Sequence, residues 1–137
     1  MSTQEGKIPF TVVTPERKLI EENVDELVLP GSEGYLGVLP GHAPLLTSLK
    51  VGELTYRTGA KTLSCFIAWG FAEVLPDRVS VLADVGERPE DVDVERARAA
   101  RERAEKRLKG NAADVDFERA TVALEKALIR MQVAAKK

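Results

Sequence analysis

The chain is organised around one stretch, Pro30-Gly31-Ser32-Glu33-Gly34-Tyr35-Leu36-Gly37-Val38-Leu39-Pro40-Gly41-His42-Ala43-Pro44-Leu45-Leu46. It contains four of the ten glycines and three of the seven prolines. Glycine permits positive φ angles and proline fixes φ, so the stretch is predicted to form a shaped loop with short extended pieces between apolar strands. Such a loop is either a recognition surface or a tight β-corner that only reverses the chain.

Length and composition set the broad class. The 137 residues suffice for one ordinary domain, or for a small domain with an appendage. The formal net charge of −2 argues against nucleic-acid binding, which needs an excess of Lys and Arg. No apolar run is long enough to span a membrane, and Met1–Lys7 lacks the apolar segment of a signal peptide, so a cytosolic location is expected. The lone Cys65 excludes an internal disulfide and is expected to be a packed thiol.

The chain up to about Val85 is predicted to form short β-strands separated by Gly/Pro turns. The strand-like segments are 8–13, 18–21, 24–29, 45–49, 52–57, 62–68, 71–75 and 78–83. With the extended pieces of the central stretch they make eight to ten strands, which indicates a β-sandwich or barrel. We assign the aromatic residues Phe66, Trp69 and Phe71 to its core.

Two helices are predicted after Glu87-Arg88-Pro89, where Ala, Arg, Glu and Lys become dominant. The first is capped by Asp91 or Asp93, and the second runs from about Asp116 to Ala134. Gly110 and Asn111 suit the turn between them. The helices form an internal repeat, since Asp-Val-Asp-Val-Glu-Arg-Ala at 91–97 recurs as Asp-Val-Asp-Phe-Glu-Arg-Ala at 114–120. The short connection predicts an antiparallel hairpin.

The contact between these helices is predicted to be thin. Its members by helical spacing are Ala97, Ala100 and Ala104 on the first helix, and Ala120, Leu124, Ala127, Leu128 and Met131 on the second. Because alanine methyl groups bury little surface, we expect a weakly held, mobile hairpin. The alternative is a hairpin that docks firmly on a partner.

Basic residues follow one flank of each helix. They are Arg96, Arg103 and Arg107 on the first, and Arg119, Lys126 and Arg130 on the second. Antiparallel packing turns both flanks to the same side and brings Arg96, Lys126 and Arg130 together. Crowded like charges repel unless an anion bridges them, so a compact polyanion such as a nucleoside triphosphate would suit this cluster. The alternative is a set of solvated side chains paired with glutamates one turn away.

The sequence offers no set of catalytic residues. The one histidine, His42, lies in a Pro-Gly-His-Ala-Pro loop without a nearby nucleophile, and there is one cysteine. A His/Cys metal site is therefore not expected, and neither a phosphate-binding glycine loop nor a dinucleotide fingerprint is present. We expect a protein that is not an enzyme and has no metal site of its own.

At the level of whole segments, the chain resembles the epsilon subunit of bacterial F-type ATP synthases. The segments that carry the resemblance are 12–17, 31–45, 81–84 and 114–117 with the alanine-rich run after it. The resemblance implies an α+β fold, with a β-sandwich of about ten strands (1–86) followed by a regulatory antiparallel two-helix hairpin (87–137). It also implies a noncatalytic rotor subunit in the central stalk, against the gamma subunit and the c-ring, at the cytoplasmic face of the cell membrane.

The resemblance further implies two sets of contacts. In this family the Gly/Pro loop faces the c-ring, which suggests Glu33, Tyr35 and His42. The family's hairpin folds down on the sandwich or extends toward the alpha/beta catalytic head, where it blocks ATP hydrolysis. Basic residues of the second helix then meet acidic residues of the beta subunit, which suggests Arg119, Lys126 and Arg130.

Some members of the family bind ATP on the folded hairpin through an Ile/Leu-Asp-x-x-Arg-Ala motif. That position here is Val92-Asp93-Val94-Glu95-Arg96-Ala97. The ATP-binding residues implied by this resemblance are Glu87, Asp93, Arg96, Arg103, Lys126 and Arg130. Lys126 stands where the pattern has an arginine, and a lysine cannot make a bidentate phosphate contact. The alternative is a purely structural stalk adaptor without nucleotide binding.

Overall fold

The computed structural model describes residues 6–110 and 116–136. These residues form eight β-strands followed by two α-helices, with a 3-10 turn at Pro89–Asp91 between the two parts. The elements are β1 (Ile8–Val13), β2 (Lys18–Val24), β3 (Glu26–Gly31), β4 (Gly34–Val38), β5 (Leu45–Leu49), β6 (Gly52–Thr58), β7 (Lys61–Leu75), β8 (Arg78–Glu87), α1 (Val94–Lys109) and α2 (Phe117–Ala134). The predicted order of strands and helices is confirmed, and the turn predicted at Asn111 lies outside the described residues.

The long strand β7 explains why eight strands are found among the described residues where about ten are predicted. It joins segments 62–68 and 71–75 by passing through Trp69 and Gly70 with φ angles of 58° and 122°. Its first half pairs with β6 and its second half with β5, both antiparallel. The strands connect in the order β2-β1-β8-β7-β5-β3-β4, with β6 bridging β3 and β7. One bent strand therefore runs through both halves of the sheet.

The two halves of the sheet face each other across a single core, as a sandwich requires. Phe10 on β1 and Tyr56 on β6 lie in these opposite halves, and their ring centroids are 5.4 Å apart. Val12, Leu54 and Ile67 are completely buried between the halves. Cys65 is buried there too, as predicted, and burial raises the pKa of its thiol to about 12.

The prediction that three aromatic residues are buried is correct for Phe66 and wrong for two others. Trp69 is 40% exposed and Phe71 is 57% exposed. Before the bend, Cys65 and Ile67 face the sandwich core, whereas Phe66 and Ala68 pack with the end of α2 on the other face. The positive φ angles at Trp69 and Gly70 interrupt this alternation, so that Ala72 and Val74, and not Phe71, continue the core.

The hairpin is antiparallel, because Val92 and Val94 at the start of α1 share a cluster with Ile129 and Val133 near the end of α2. Five alanines of the two helices are buried, and they are Ala97, Ala104, Ala120, Ala127 and Ala134. Leu128, predicted to lie in the same contact, is 46% exposed because the narrow alanine face leaves it turned away from α1. Asp93, and not Asp91, is the N-cap of α1.

Candidate anion-binding site

A cleft of about 350 Å³ lies between α1, α2 and the end of β8. We call it the cationic cleft. Its lining residues are Glu87, Asp91, Asp93, Arg96, Ala97, Ala100, Arg103, Ala123, Lys126, Ala127 and Arg130. The structure therefore brings together all six residues predicted to contact ATP, and small alanine side chains between the cations leave the space open.

Helical geometry positions the four basic side chains of the cleft. Arg96 and Arg103 are two turns apart on one face of α1, and Lys126 and Arg130 are one turn apart on one face of α2. Asp93 is the N-cap of α1, and its Oδ1 accepts a hydrogen bond from the backbone N–H of Arg96 at 3.1 Å. The helix begins at the rim of the cleft, so its positive end contributes to the field there.

Two carboxylates of the cleft are already paired with arginines. Asp91 pairs with Arg17 at 2.5 Å, and Glu87 pairs with Arg130 at 2.9 Å. The ion pairs found among residues 6–110 and 116–136 do not include Arg96, Arg103 or Lys126. Three cations thus face one cavity without a partner among the described carboxylates, which is an arrangement that attracts an anion.

Two aromatic rings of β7 support the cations of α2. The Lys126 Nζ lies 5.1 Å from the centroid of the Trp69 ring, and the Arg130 guanidinium carbon lies 4.4 Å from the centroid of Phe66. This role is not predicted from the sequence, in which both rings are assigned to the core. Rings and cations are far apart in the chain, and no local pattern links them.

The residues predicted to contact the c-ring lie outside the cleft. Glu33 is exposed in the turn between β3 and β4, and Tyr35 is 53% exposed on β4. The Tyr35 hydroxyl accepts a hydrogen bond from the backbone N–H of Glu53 at 3.2 Å. His42 is half-buried, with its Nδ1 2.7 Å from the carbonyl oxygen of Ala43. Glu33 and His42 lie beyond opposite ends of β4, and Tyr35 is on the strand between them.

Arg119, predicted to contact the catalytic subunit, is exposed at the start of α2. It lies at the opposite end of that helix from Arg130 and does not line the cleft. Arg119 shares a helical flank with Lys126 and Arg130 but lies outside the cleft that they line.

Other parts of the molecule suit an anion less well. A cavity of about 480 Å³ beside β1, β2 and β8 has Glu21, Glu22 and Arg78 as its charged lining residues, so it is acidic on balance. The described ranges contain no group of His, Cys, Asp and Glu side chains placed to hold a metal ion. Among the same residues, no helix is both long and apolar enough to cross a membrane.

Comparison with known proteins places this architecture in a family. The model of the ATP synthase delta/epsilon chain β-sandwich domain matches residues 7–89, and that of the long α-helix domain of the same chain matches residues 90–135. The ATP synthase epsilon chain of Syntrophobacter fumaroxidans is 53% identical over 131 residues, covering 95% of this chain and 97% of the relative. The epsilon chain of Geobacter metallireducens is 49% identical over 131 residues, covering 95% of each.

The fold is also similar to a chain in the mitochondrial ATP synthase of Euglena gracilis, with a TM-score of 0.78 and 24% identity over 99% of this chain and 85% of that one. The chain belongs to the ATP synthase delta/epsilon family, in which its relatives are epsilon chains. The epsilon chain is a noncatalytic subunit, so the prediction that this chain is not an enzyme is confirmed. The predicted β-sandwich followed by two helices is confirmed as well.

Proposed function

We propose that this chain is a rotor subunit in the central stalk of a proton- or sodium-translocating ATP synthase, and that its hairpin binds ATP in the folded-down state. In this role it couples the c-ring and the gamma subunit to the catalytic head and restrains ATP hydrolysis when the hairpin extends. The observation that carries the nucleotide part is the cationic cleft, where Arg96, Arg103 and Lys126 converge without carboxylate partners among the described residues.

The size and chemistry of the cleft support a nucleotide. Its volume of about 350 Å³ is in the range of small-molecule sites. The guanidinium groups of Arg96 and Arg103 can each give two parallel hydrogen bonds to phosphate oxygens, and Lys126 adds a point charge. Glu87 and Asp93 supply acceptors at the same cleft, which suit the hydroxyl and amino donors of a nucleoside.

Binding at this cleft would favour the folded hairpin. Its walls come from α1, α2 and Glu87 on β8, so the complete site exists only when the three elements are together. A ligand specific for that form shifts the population toward it in proportion to its differential affinity. In the extended form Arg119, Lys126 and Arg130 are available to acidic residues of the beta subunit, which is our proposal for how hydrolysis is restrained.

Surface features support the rotor contacts. Leu46, Phe71 and Leu82 lie on the neighbouring strands β5, β7 and β8 and are 70%, 57% and 59% exposed. Exposed apolar groups clustered in this way mark protein contacts, and we assign this face to the gamma subunit. Glu33, Tyr35 and His42 at the Gly/Pro loop are assigned to the c-ring. The chain would then be peripheral at the cytoplasmic face, reaching the membrane only through the complex, with no nucleic-acid partner.

Titration calorimetry of the purified chain with ATP tests the nucleotide part. Arg96→Ala is expected to weaken binding about tenfold or more, since hydrogen bonds to charged groups contribute about 1.5–3 kcal/mol. Arg98→Ala is the matched control, because Arg98 is on the same helix and pairs with Glu95 at 2.7 Å outside the cleft. Absence of heat in the unmodified protein would reject nucleotide binding, and equal affinity of the Arg96 variant would reject binding at this cleft.

Hydrogen exchange of α1 and α2 separates this function from that of a purely structural adaptor. We expect slower exchange of both helices at saturating ATP, because the bound form has fewer openings. A structural adaptor would show the same exchange with and without ATP.

A further inference from the structure

One buried carboxylate on the sandwich receives the end of α2. Glu53 lies on β6 with only 5% of the residue exposed. Its Oε1 accepts a hydrogen bond from the Gln132 side chain, and its Oε2 lies 2.6 Å from the Lys136 Nζ. Gln132 is in the last turn of α2, and Lys136 comes directly after Ala135, the C-cap of that helix. We call these three residues the Glu53 seat.

The seat is charged despite its burial. Burial acts to raise the pKa of Glu53, but the hydrogen bonds from Lys136 and Gln132 outweigh it and hold the pKa below its ordinary value of 4.5. An ionised carboxylate in such a position requires partners, because an unpaired buried charge is strongly destabilising. The one charged group described beside it is Lys136 of the hairpin, whereas Gln132 and Ser64 of β7 contribute as neutral hydrogen-bonding partners, so the sandwich depends on α2 to balance the charge of Glu53.

An apolar cluster surrounds the seat. It includes Val51, Phe66, Ala68 and Val85 of the sandwich and Ile129, Val133 and Ala134 of α2. Apolar burial is non-directional, so the hydrogen-bonded contact of Glu53 supplies the specific geometry of this interface. Arg130, one helical turn before Ala134, is fixed over Phe66 by the same docking.

We propose that Glu53 is a positioning residue that seats the end of α2 on the sandwich and so holds Lys126 and Arg130 at the cationic cleft before any nucleotide arrives. The inference rests on the proposed function for what the cationic cleft binds. The docking of α2 at Glu53 itself requires no nucleotide. A hairpin that is released at the seat loses the support of Arg130 by Phe66 and Glu87 at the same time.

Hydrogen exchange of the full chain without nucleotide tests the seat. In Glu53→Gln and in Lys136→Gln, the amides in the second half of α2 are expected to exchange about tenfold faster than in the unmodified protein, which corresponds to about 1.4 kcal/mol. The double variant should exchange no faster than either single one, because both changes remove the same interaction. Lys136→Arg keeps the charge and should restore most of the protection.

Two controls keep the result interpretable. Glu73→Gln removes an exposed carboxylate from β7 and should exchange like the unmodified protein. Lys136 lies outside the sandwich, so its substitution leaves the strands intact even if the Glu53 variant unfolds. Unchanged exchange in Lys136→Gln, or multiplied effects in the double variant, would overturn the inference. If the unmodified protein binds no ATP, the nucleotide proposal fails while the exchange measurement still decides the seat.

Discussion

The Arg130 guanidinium forms a two-point ion pair with the Glu87 carboxylate, with Nε 2.9 Å from Oε1 and Nη2 3.3 Å from Oε2. The same guanidinium lies over the ring of Phe66, 4.4 Å from its centroid. One side chain therefore joins α2 to β8 and β7, and it does so at the wall of the cationic cleft.

This relationship predicts that Arg130→Lys is not a conservative change. An ammonium group cannot form the two-point ion pair with Glu87, and it has no planar group that can stack on the Phe66 ring. We expect α2 to lose about 1–2 kcal/mol of docking free energy, measured by hydrogen exchange without nucleotide. Arg119→Lys, at the exposed far end of the same helix, is the control. Equal protection in the two variants would contradict the role given to Arg130.

Trp69 offers a second prediction, because it combines an unusual backbone with a contact to the cleft. Its φ angle of 58° is rare for a bulky residue, and the Lys126 ammonium lies over its ring. Trp69→Leu should weaken ATP binding about two- to fivefold, the size of an exposed cation–π contact, and Trp69→Phe should weaken it less. Calorimetry measures both variants. Phe71→Leu, on the same strand and away from the hairpin, should have no effect, and a similar loss there would disprove the specific contact.

The two helix caps allow a matched comparison. Asp93 and Asp116 each accept a hydrogen bond from the backbone three residues on, at 3.1 and 3.0 Å, but only Asp93 lines the cleft. Either change to Ala should cost about 1 kcal/mol of helix stability by circular dichroism. We expect Asp93→Ala to weaken ATP binding in addition, whereas Asp116→Ala should not. Identical affinities would show that Asp93 acts only as a cap.

Gly70 tests the bend in β7. Its φ angle is 122°, and a Cβ placed there would lie 2.0 Å from the backbone oxygen of Leu82. Gly70→Ala should therefore lower the free energy of unfolding by about 3 kcal/mol or more, measured by denaturant unfolding. Gly37→Ala is the control, since a Cβ at Gly37 meets no atom within 4 Å. A small effect at Gly70 would mean that the bend can relax.

Docking of α2 should weaken in acid. The pKa of Glu53 is lower in the seated form than its ordinary 4.5, so the seated form binds fewer protons. The stabilisation that ionised Glu53 gives to the docked α2 is complete above the ordinary pKa of 4.5. It is lost as the pH falls through the lower pKa of the seated form. The groups that face Glu53 are Lys136 and Gln132 from the hairpin and Ser64 from β7, of which Lys136 is charged.

Hydrogen exchange of α2, corrected for the intrinsic effect of pH, measures this acid release. Glu53→Gln should abolish the pH dependence, and Glu73→Gln should retain it. The pKa of Asp25 is also lowered, chiefly by its hydrogen bond from Lys7. Protonation of Asp25 in acid should therefore destabilise the sandwich equally in every variant. Acid release that persists unchanged in Glu53→Gln would assign it to another group.

The sequence predicts much of this architecture because its signals are local. Helical spacing places Arg96 and Arg103 on one face of α1, and Lys126 and Arg130 on one face of α2. The short connection then predicts the antiparallel packing that turns both faces to the same side. The division of β7 into two segments is the main error in the strands. Glycine is a typical turn residue, yet Gly70 lets a single strand bend and continue.

The supports of the cleft could not be predicted in this way. Phe66, Trp69 and Glu53 are on strands, and the cations that they contact are on α2 or just after it, much later in the chain. Only the docking of the hairpin brings them together. A buried glutamate in a strand that alternates polar and apolar residues gives no indication of whether it faces water or another element.

The hydrogen bond from the Glu53 backbone to the Tyr35 hydroxyl connects two surfaces to which we assign different partners. Tyr35 belongs to the region assigned to the c-ring, and the Glu53 side chain holds α2. A force applied at the region assigned to the c-ring would reach α2 through the Tyr35 phenol and Glu53. Mechanical strain and nucleotide binding would then both act on the docking of α2 against the sandwich.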